Sequence, residues 1–192
     1  TPRTSELIGR AVRDCFSAEE VAVVEGDAEV AKEVTQLPVD HLFFTGSTVV
    51  GRHVARAAAE NLTSLTLELG GKSPALIHSD YPIEKAAERI AVGKLFNGGQ
   101  SCVAPDYVLV SESQLQPFAE AFRAAARKLY PDPATNPDYC SIASVKAHER
   151  LKALLTDAEG KGARIERLFD LPPQFGSRKL SPALVFGANE QM

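Results

Sequence analysis

The chain has 192 residues, of which 44% are apolar and 24% charged, and its formal net charge is −4. This composition is typical of a globular protein with a substantial core, and the negative charge excludes the basic surface expected of a nucleic-acid-binding domain. No apolar run reaches the length of a transmembrane helix, so we expect no membrane segment in this chain.

The three cysteines, Cys15, Cys102 and Cys140, are odd in number and widely spaced. This pattern argues against a disulfide framework and a zinc site, and it favours a reducing, cytoplasmic compartment. The four histidines also lack the spacing of metal ligands, so we predict no metal site. Cys15 lies on the apolar stripe of a predicted helix, which indicates a core residue and not a reactive thiol.

The first third of the chain alternates helical patterns with short apolar runs. This alternation predicts βαβ units and a parallel sheet, with a ligand site beyond the carboxyl ends of the strands. The predicted elements, in chain order, are a helix over 4–16, a buried strand at Val21–Val24, a helix over 27–36, a strand at His41–Phe44, a helix ending near Asn61, and a strand at Ser64–Glu68.

A second α/β region follows, and the pattern places a division between the two regions near residues 68–72. Its strongest helical stripe runs from Leu115 to Leu129. The other predicted elements are a strand at Ala75–Ile77, a helix from about 83 to 96, a strand at Tyr107–Val110, a helix over 147–158 and a strand at Ala183–Phe186.

Glu68 ends the predicted buried strand and is followed directly by two glycines, in the stretch Leu65-Thr-Leu-Glu-Leu-Gly-Gly-Lys-Ser-Pro74. A carboxylate at the end of a buried strand is costly unless it has a partner or a chemical role. The stretch alone leaves two interpretations open: a structural carboxylate that caps a helix or pairs with a lysine, and a functional one.

The segment from Phe43 to Gly51 places Gly46 and Gly51 five residues apart at a predicted strand-to-helix turn. Backbone amides and the positive end of the helix would there face an anion such as a pyrophosphate. The segment is not a P-loop, because Arg52-His53 follow where lysine and Ser/Thr are needed. A purely geometric role for the glycines stays open.

Cys102 follows Asn97-Gly-Gly-Gln-Ser101 and therefore lies in a predicted loop. Flexible backbone beside a thiol lets an amide approach a developing oxyanion, although an inert loop cysteine is an equal alternative. We expect Cys140, in a proline-flanked polar loop, to be inert. For Lys72 and Lys94 we favour salt bridges over a catalytic amine.

Taken together, these segments resemble the aldehyde dehydrogenase superfamily in residues, order and separation. The region from Val103 to Val110 is similar to the branch with the class 3, fatty-aldehyde and coniferyl aldehyde dehydrogenases. The resemblance covers essentially the whole chain, from Thr1-Pro2 to Met192. The motifs that carry it are Phe44-Thr-Gly-Ser-Thr48 with Gly51, Leu67-Glu-Leu-Gly-Gly-Lys-Ser-Pro74, and Asn97-Gly-Gly-Gln-Ser-Cys102.

The resemblance implies a Rossmann-like parallel sheet segment (βαβαβ) joined to part of an α/β catalytic domain. Residues 1–68 would be the C-terminal part of an NAD(P)-binding domain, and residues 69–192 a partial catalytic domain. The implied activity is oxidation of an aldehyde to a carboxylate with NAD or NADP. The aldehyde would be aromatic, such as coniferyl aldehyde, or medium- to long-chain aliphatic, and the full-length protein a homodimer or homotetramer.

By the same resemblance, Cys102 would be the nucleophile that forms a thioester, and Glu68 the general base for its hydrolysis. A non-catalytic nucleotide-binding or structural module on this fold is the alternative from another functional class. A third interpretation within the family is a semialdehyde dehydrogenase or a coenzyme A-acylating enzyme. The acylating enzyme would not need Glu68 for deacylation, so the presence of Glu68 favours hydrolysis. The implied cofactor-binding residues are Gly46, Ser47, Val50, Gly51, Leu69 and Gly70.

The resemblance also implies that these 192 residues are the central part of the family's chain. The family's oxyanion asparagine and cofactor-contacting lysine would precede Thr1, and its Glu-Ile-Phe-Gly-Pro segment would follow Met192. We therefore expect the isolated 192 residues to bind the cofactor poorly and to turn over little. A cofactor-dependent burst with an aromatic aldehyde, as large as that of a full-length enzyme, would contradict this expectation.

Overall fold

The computed structural model describes residues 2–171 and 178–192. Thr1, in the first predicted domain, and residues 172–177, in the second, lie outside the described residues. The chain divides into two compact units, Thr1–Gly70 and Gly71–Met192. The assignment of a cofactor-binding and a catalytic role to these parts of the chain stays a prediction. No helix in the described ranges is long and apolar enough to span a bilayer.

The first unit contains one parallel βαβ arrangement. Strand β1 (His41–Thr45) pairs with β2 (Ser64–Glu68), with Thr45 opposite Glu68. Helix α3 (Thr48–Glu60) connects the strands and packs on both, burying Val54 and Ala58. The unit also contains α1 (Pro2–Cys15) and α2 (Ala28–Thr35). Asp27 caps α2 by accepting from the amides of Glu29 and Val30, as expected for a short acidic side chain at that position.

Three expectations for this unit were wrong. Residues Val21–Val24 form no strand, and Val24 is 64% exposed, because an apolar run becomes a strand only where another strand pairs with it. Strand β2 forms but is only half-buried, with Glu68 exposed, because one helix cannot cover both faces of a sheet. Cys15 is exposed because only Gly9 of α1 is buried, and helical periodicity specifies a face without supplying a partner for it.

The second unit is built around the contact between α4 (Ile83–Leu95) and α5 (Glu112–Leu129). Alanines at the contact let the two helices approach closely, while two phenylalanine rings on α5, 5.9 Å apart between centroids, fill the space beside them. The core cluster comprises Ala87, Ala91, Leu95, Phe118, Phe122, Ala126 and Leu168.

Two further strand pairs complete the second unit. Strands β3 (Ser73–Leu76) and β4 (Pro105–Leu109) are parallel, and β5 (Arg164–Arg167) and β6 (Ala183–Phe186) are antiparallel. Helix α6 (Val145–Gly160) precedes β5. The parallel strand pairs between helices confirm the predicted α/β class.

Strand β5 was not predicted, because its sequence, Arg-Ile-Glu-Arg, has little apolar character. Two of its three charged side chains make tertiary contacts. Glu166 pairs with Arg123 of α5, and the guanidinium carbon of Arg164 lies 3.8 Å above the ring centroid of Phe186 on β6. The strand therefore depends on its neighbours and not on its own propensity.

The turn that follows helix α3 contains a leucine in the left-handed conformation, which gives a testable prediction. Leu62 has φ of 54° and is 93% exposed, and the amides of Leu62 and Thr63 donate to the carbonyls of Ala59 and Ala58. Glycine carries no Cβ penalty there, so Leu62→Gly is expected to raise the unfolding free energy by about 0.5–1 kcal/mol.

The matched control is Leu7→Gly in the body of α1, where the leucine is 59% exposed. That change is expected to lower the unfolding free energy by about 1 kcal/mol. Denaturant unfolding measures both. A loss of stability in the Leu62→Gly protein would show that the side chain, and not the backbone conformation, matters at this helix end.

Candidate active site

The carboxyl ends of β1 and β2 bring Glu68 next to the glycine turn. The Gly46 amide donates to the main-chain oxygen of Glu68 at 3.0 Å, which fixes the backbone of the turn beside the last residue of β2. The Glu68 carboxylate is exposed, and it makes no ion pair with any residue in the described ranges. A structural role in a salt bridge therefore has no support in this unit.

The amino end of α3 opens at the same edge of the sheet. Ser47 caps the helix, and its Oγ accepts from the Val50 amide at 3.3 Å. The amides of Thr48 and Val49 have no acceptor among the described residues. These exposed N–H groups, together with the positive end of the helix, can bind an anionic group such as a diphosphate.

Helix α3 lies close to the segment that follows Glu68. A Cβ placed on Gly51 would lie 2.9 Å from Cδ2 of Leu69, so any side chain at position 51 would push these segments apart. A Cβ on Gly70 would meet nothing within 4 Å. The structure thus brings all six predicted cofactor-binding residues and Glu68 to one edge of the first unit. Their roles stay predictions.

Cys102 is exposed in the second unit, just after a 3-10 turn over Phe96–Gly99. Three successive residues of this segment are left-handed, with φ of 50° at Asn97, 61° at Gly98 and 77° at Gly99. Glycine adopts this conformation freely, so the Gly98-Gly99 pair is what allows the chain to reverse before the thiol.

Within the second unit, the Cys102 loop (residues 97–102) lies against Gly71, the second glycine of the Glu68 motif (residues 67–74). A Cβ on Gly71 would clash with the main-chain carbonyl oxygen of Cys102. Only glycine permits this approach, which explains the second glycine of the motif as a packing requirement. Glu68 itself belongs to the first unit and Cys102 to the second.

One carboxylate ties three segments of this site together. Asp106, on β4, pairs through Oδ2 with Lys72 at 2.6 Å and through Oδ1 with Lys94 at 3.6 Å. The two lysines therefore form salt bridges, which confirms the prediction made for them. Asp106 was not singled out from the sequence. The sequence feature that could have identified it is a carboxylate four residues after Cys102, directly after a proline and before the apolar run of a strand.

A cavity of about 570 Å³ lies within the second unit. Its polar end is lined by Lys72, Lys94 and Asp106, and its apolar side by leucines of α6. Cys102 does not line it. Tyr139, which does, donates from its hydroxyl to the Leu180 carbonyl at 2.6 Å, and burial raises the pKa of this phenol above its ordinary value.

Comparison with known proteins gives one consistent result. The model of the aldehyde dehydrogenase family matches residues 1–189. The coniferyl aldehyde dehydrogenase of a Pseudomonas species is 43% identical over 196 residues, covering all of this chain, which spans 40% of that relative's length.

Two solved structures are also similar over the whole chain. Staphylococcus aureus AldH in its substrate-bound state has a TM-score of 0.86 at 36% identity. The Mycobacterium tuberculosis aldehyde dehydrogenase complexed with NAD+ has a TM-score of 0.87 at 28% identity. The chain covers 41% of each of these structures, and the likeness confirms the predicted α/β fold.

The contact at Gly71 predicts opposite outcomes for two adjacent alanine substitutions. Gly71→Ala is expected to lower the unfolding free energy by about 1–3 kcal/mol, because the new methyl group forces the Cys102 loop to move. Gly70→Ala is the matched control, and it should leave stability within about 0.5 kcal/mol or raise it slightly. Chemical denaturation measures both, and equal stabilities of the two variants would contradict the contact.

Proposed function

Because this chain belongs to the aldehyde dehydrogenase family, we propose that the whole protein oxidises an aldehyde to a carboxylate with NAD or NADP. The observation that carries the proposal is the exposed Cys102 at the end of the left-handed turn, with its carbonyl held against Gly71 of the Glu68 motif. A nucleophile on a loop that a rigid scaffold positions is a common arrangement in enzymes.

In this proposal Cys102 attacks the aldehyde as a thiolate. A bond forms between its sulfur and the carbonyl carbon, and the carbonyl oxygen becomes an oxyanion. Backbone amides near the cysteine are suited to stabilise that charge, because they are fixed before the reaction begins. When the oxyanion collapses, the carbon loses a hydride and a thioester remains on Cys102. The nicotinamide of the cofactor, when bound, would accept that hydride.

Glu68 then acts as the general base in the second half-reaction. Its carboxylate takes a proton from a water molecule, which attacks the thioester carbon. The carbon–sulfur bond breaks, the carboxylic acid leaves, and the Cys102 thiolate is restored. The exposure of Glu68 and the lack of an ion-pair partner for it within the described residues support this role, because its oxygens are available to water.

The edge formed by β1, β2 and α3 is suited to hold the cofactor's diphosphate. The Thr48 and Val49 amides can donate to its oxygens, and Gly46, Ser47, Val50 and Gly51 form the turn around them. Leu69 and Gly70 would pass beside the nicotinamide. The NAD+ complex of the similar Mycobacterium tuberculosis structure supports this assignment.

The proposed substrate is an aromatic aldehyde such as coniferyl aldehyde, with medium- or long-chain aliphatic aldehydes as the second class. The similarity to the Pseudomonas coniferyl aldehyde dehydrogenase supports the first class. All three cysteines are free thiols, which fits the proposed cytoplasmic location. We also propose that the whole protein forms a homodimer or homotetramer.

The role of Cys102 predicts that Cys102→Ser abolishes aldehyde-dependent cofactor reduction in the native protein. The loss should be at least about 10³-fold in kcat, because a neutral hydroxyl is a far weaker nucleophile than a thiolate. Absorbance of the reduced nicotinamide measures the rate. Cys15→Ser and Cys140→Ser are the controls and should keep kcat within about twofold. Turnover that survives in the Cys102→Ser protein would refute the proposed function.

The role of Glu68 predicts a different kinetic signature. Glu68→Gln should still release about one equivalent of reduced cofactor per site in a first burst, because thioester formation does not need the base. Steady-state turnover should fall by about 10²–10⁴-fold. Stopped-flow absorbance separates the two phases. Glu60→Gln, at the end of α3, is the control with unchanged turnover, and a Glu68→Gln protein without a burst would assign Glu68 to an earlier step.

A further inference from the structure

Gln100 lies two residues before Cys102, and its side-chain amide uses its hydrogen-bonding capacity on main-chain groups. Nε2 donates to the Asn97 carbonyl at 3.0 Å and to the Ser141 carbonyl at 3.2 Å. Oε1 accepts from the Ala143 amide at 2.8 Å. One side chain therefore joins the Cys102 loop to a segment about forty residues further along the chain.

The segment at the far end of this bridge is itself fixed. Ile142, between the two bridged residues, is 5% exposed. Its amide donates to the Arg178 carbonyl at 3.0 Å, and Nε of Arg178 donates back to the Ile142 carbonyl at 2.8 Å. A buried residue whose amide and carbonyl are both hydrogen-bonded is a firm attachment point, so hydrogen bonds to residues 141–143 restrain the Cys102 loop.

The other end of the bridge, the turn over residues 97–99, has a backbone that needs such restraint. Asn97 adopts a left-handed conformation that is unfavourable for a residue with a Cβ, and the two glycines after it have the freest backbone of any residue. Gln100 closes this turn from both sides. The main-chain amide of Gln100 donates to the Asn97 carbonyl at 3.2 Å, and the main-chain carbonyl of Gln100 accepts from Nδ2 of Asn97 at 3.3 Å.

We propose that Gln100 is a positioning residue for Cys102, which holds the flexible glycine turn against residues 141–143 and so fixes where the thiol is presented. The importance of that placement rests on the proposed function, since a nucleophile must meet the substrate carbonyl within a narrow range of distance and angle. Gln100 does not touch the substrate in this proposal. Its effect passes entirely through the main chain.

The test compares Gln100→Ala with Gln114→Ala in the native protein. Gln114 is a matched control because its side-chain amide also bridges, donating to the Ser79 carbonyl at 3.1 Å and accepting from Ser111 Oγ at 3.1 Å. Both substitutions should lower the unfolding free energy by similar amounts. A merely structural glutamine would therefore affect the reaction no more than Gln114 does.

Hydrogen–deuterium exchange is the first readout and does not depend on the reaction. Amides in the peptide that contains residues 97–104 should exchange about tenfold faster in the Gln100→Ala protein and at the original rate in the Gln114→Ala protein. Unchanged exchange in that peptide would overturn the proposal. If the unsubstituted protein reduced no cofactor with any aldehyde, the proposed function would fail, and exchange would still decide whether Gln100 holds the loop.

The second readout is kinetic and asks whether the substitution changes kcat or KM. Gln100→Ala should lower kcat by about 10–100-fold with the KM for the nicotinamide cofactor within about twofold, because the cofactor residues belong to the other unit. Gln114→Ala should leave kcat within about twofold. Equal losses of kcat in both variants, or an unchanged kcat after Gln100→Ala, would overturn the proposal.

Discussion

The approach of the Gly71 backbone to the Cys102 carbonyl is the contact on which the candidate active site depends. It lies within the second unit, and it tolerates no side chain at position 71. Asp106 reinforces it, because one carboxylate pairs with Lys72, next to Gly71, and with Lys94, at the end of the helix that leads to the Cys102 loop. These pairs are partly exposed, so they define geometry more than they add stability.

The left-handed turn before Cys102 is the flexible part of this site, in contrast to the close contact at Gly71. The Gly98-Gly99 pair lets the chain reverse in very few residues, but free backbone cannot by itself hold a nucleophile in place. The bridge from Gln100 to residues 141–143 supplies that restraint. The loop thus combines a left-handed backbone that glycine adopts freely with side-chain hydrogen bonds that remove the resulting freedom.

Much of this could be predicted from the sequence, because motifs report local backbone requirements directly. The turn at Gly46, the parallel pairing of β1 with β2, and the loop position of Cys102 follow from spacing alone, and the family match confirms the resemblance that the motifs suggested. What failed depends on partners distant in the chain. Cys15 and the run Val21–Val24 have apolar patterns without a covering element, and β5 pairs with β6 although its own sequence is mostly charged.

The central claim is that Cys102 carries the thioester and Glu68 removes it, and mass spectrometry tests this most directly. The native protein with Glu68→Gln is mixed with an aromatic aldehyde and oxidised cofactor, quenched in acid and digested. The account predicts an adduct on the Cys102 peptide with the mass of the aldehyde less two hydrogen atoms, which hydroxylamine removes. An adduct on the Cys15 or Cys140 peptide, or one that retains the full mass of the aldehyde, would contradict it.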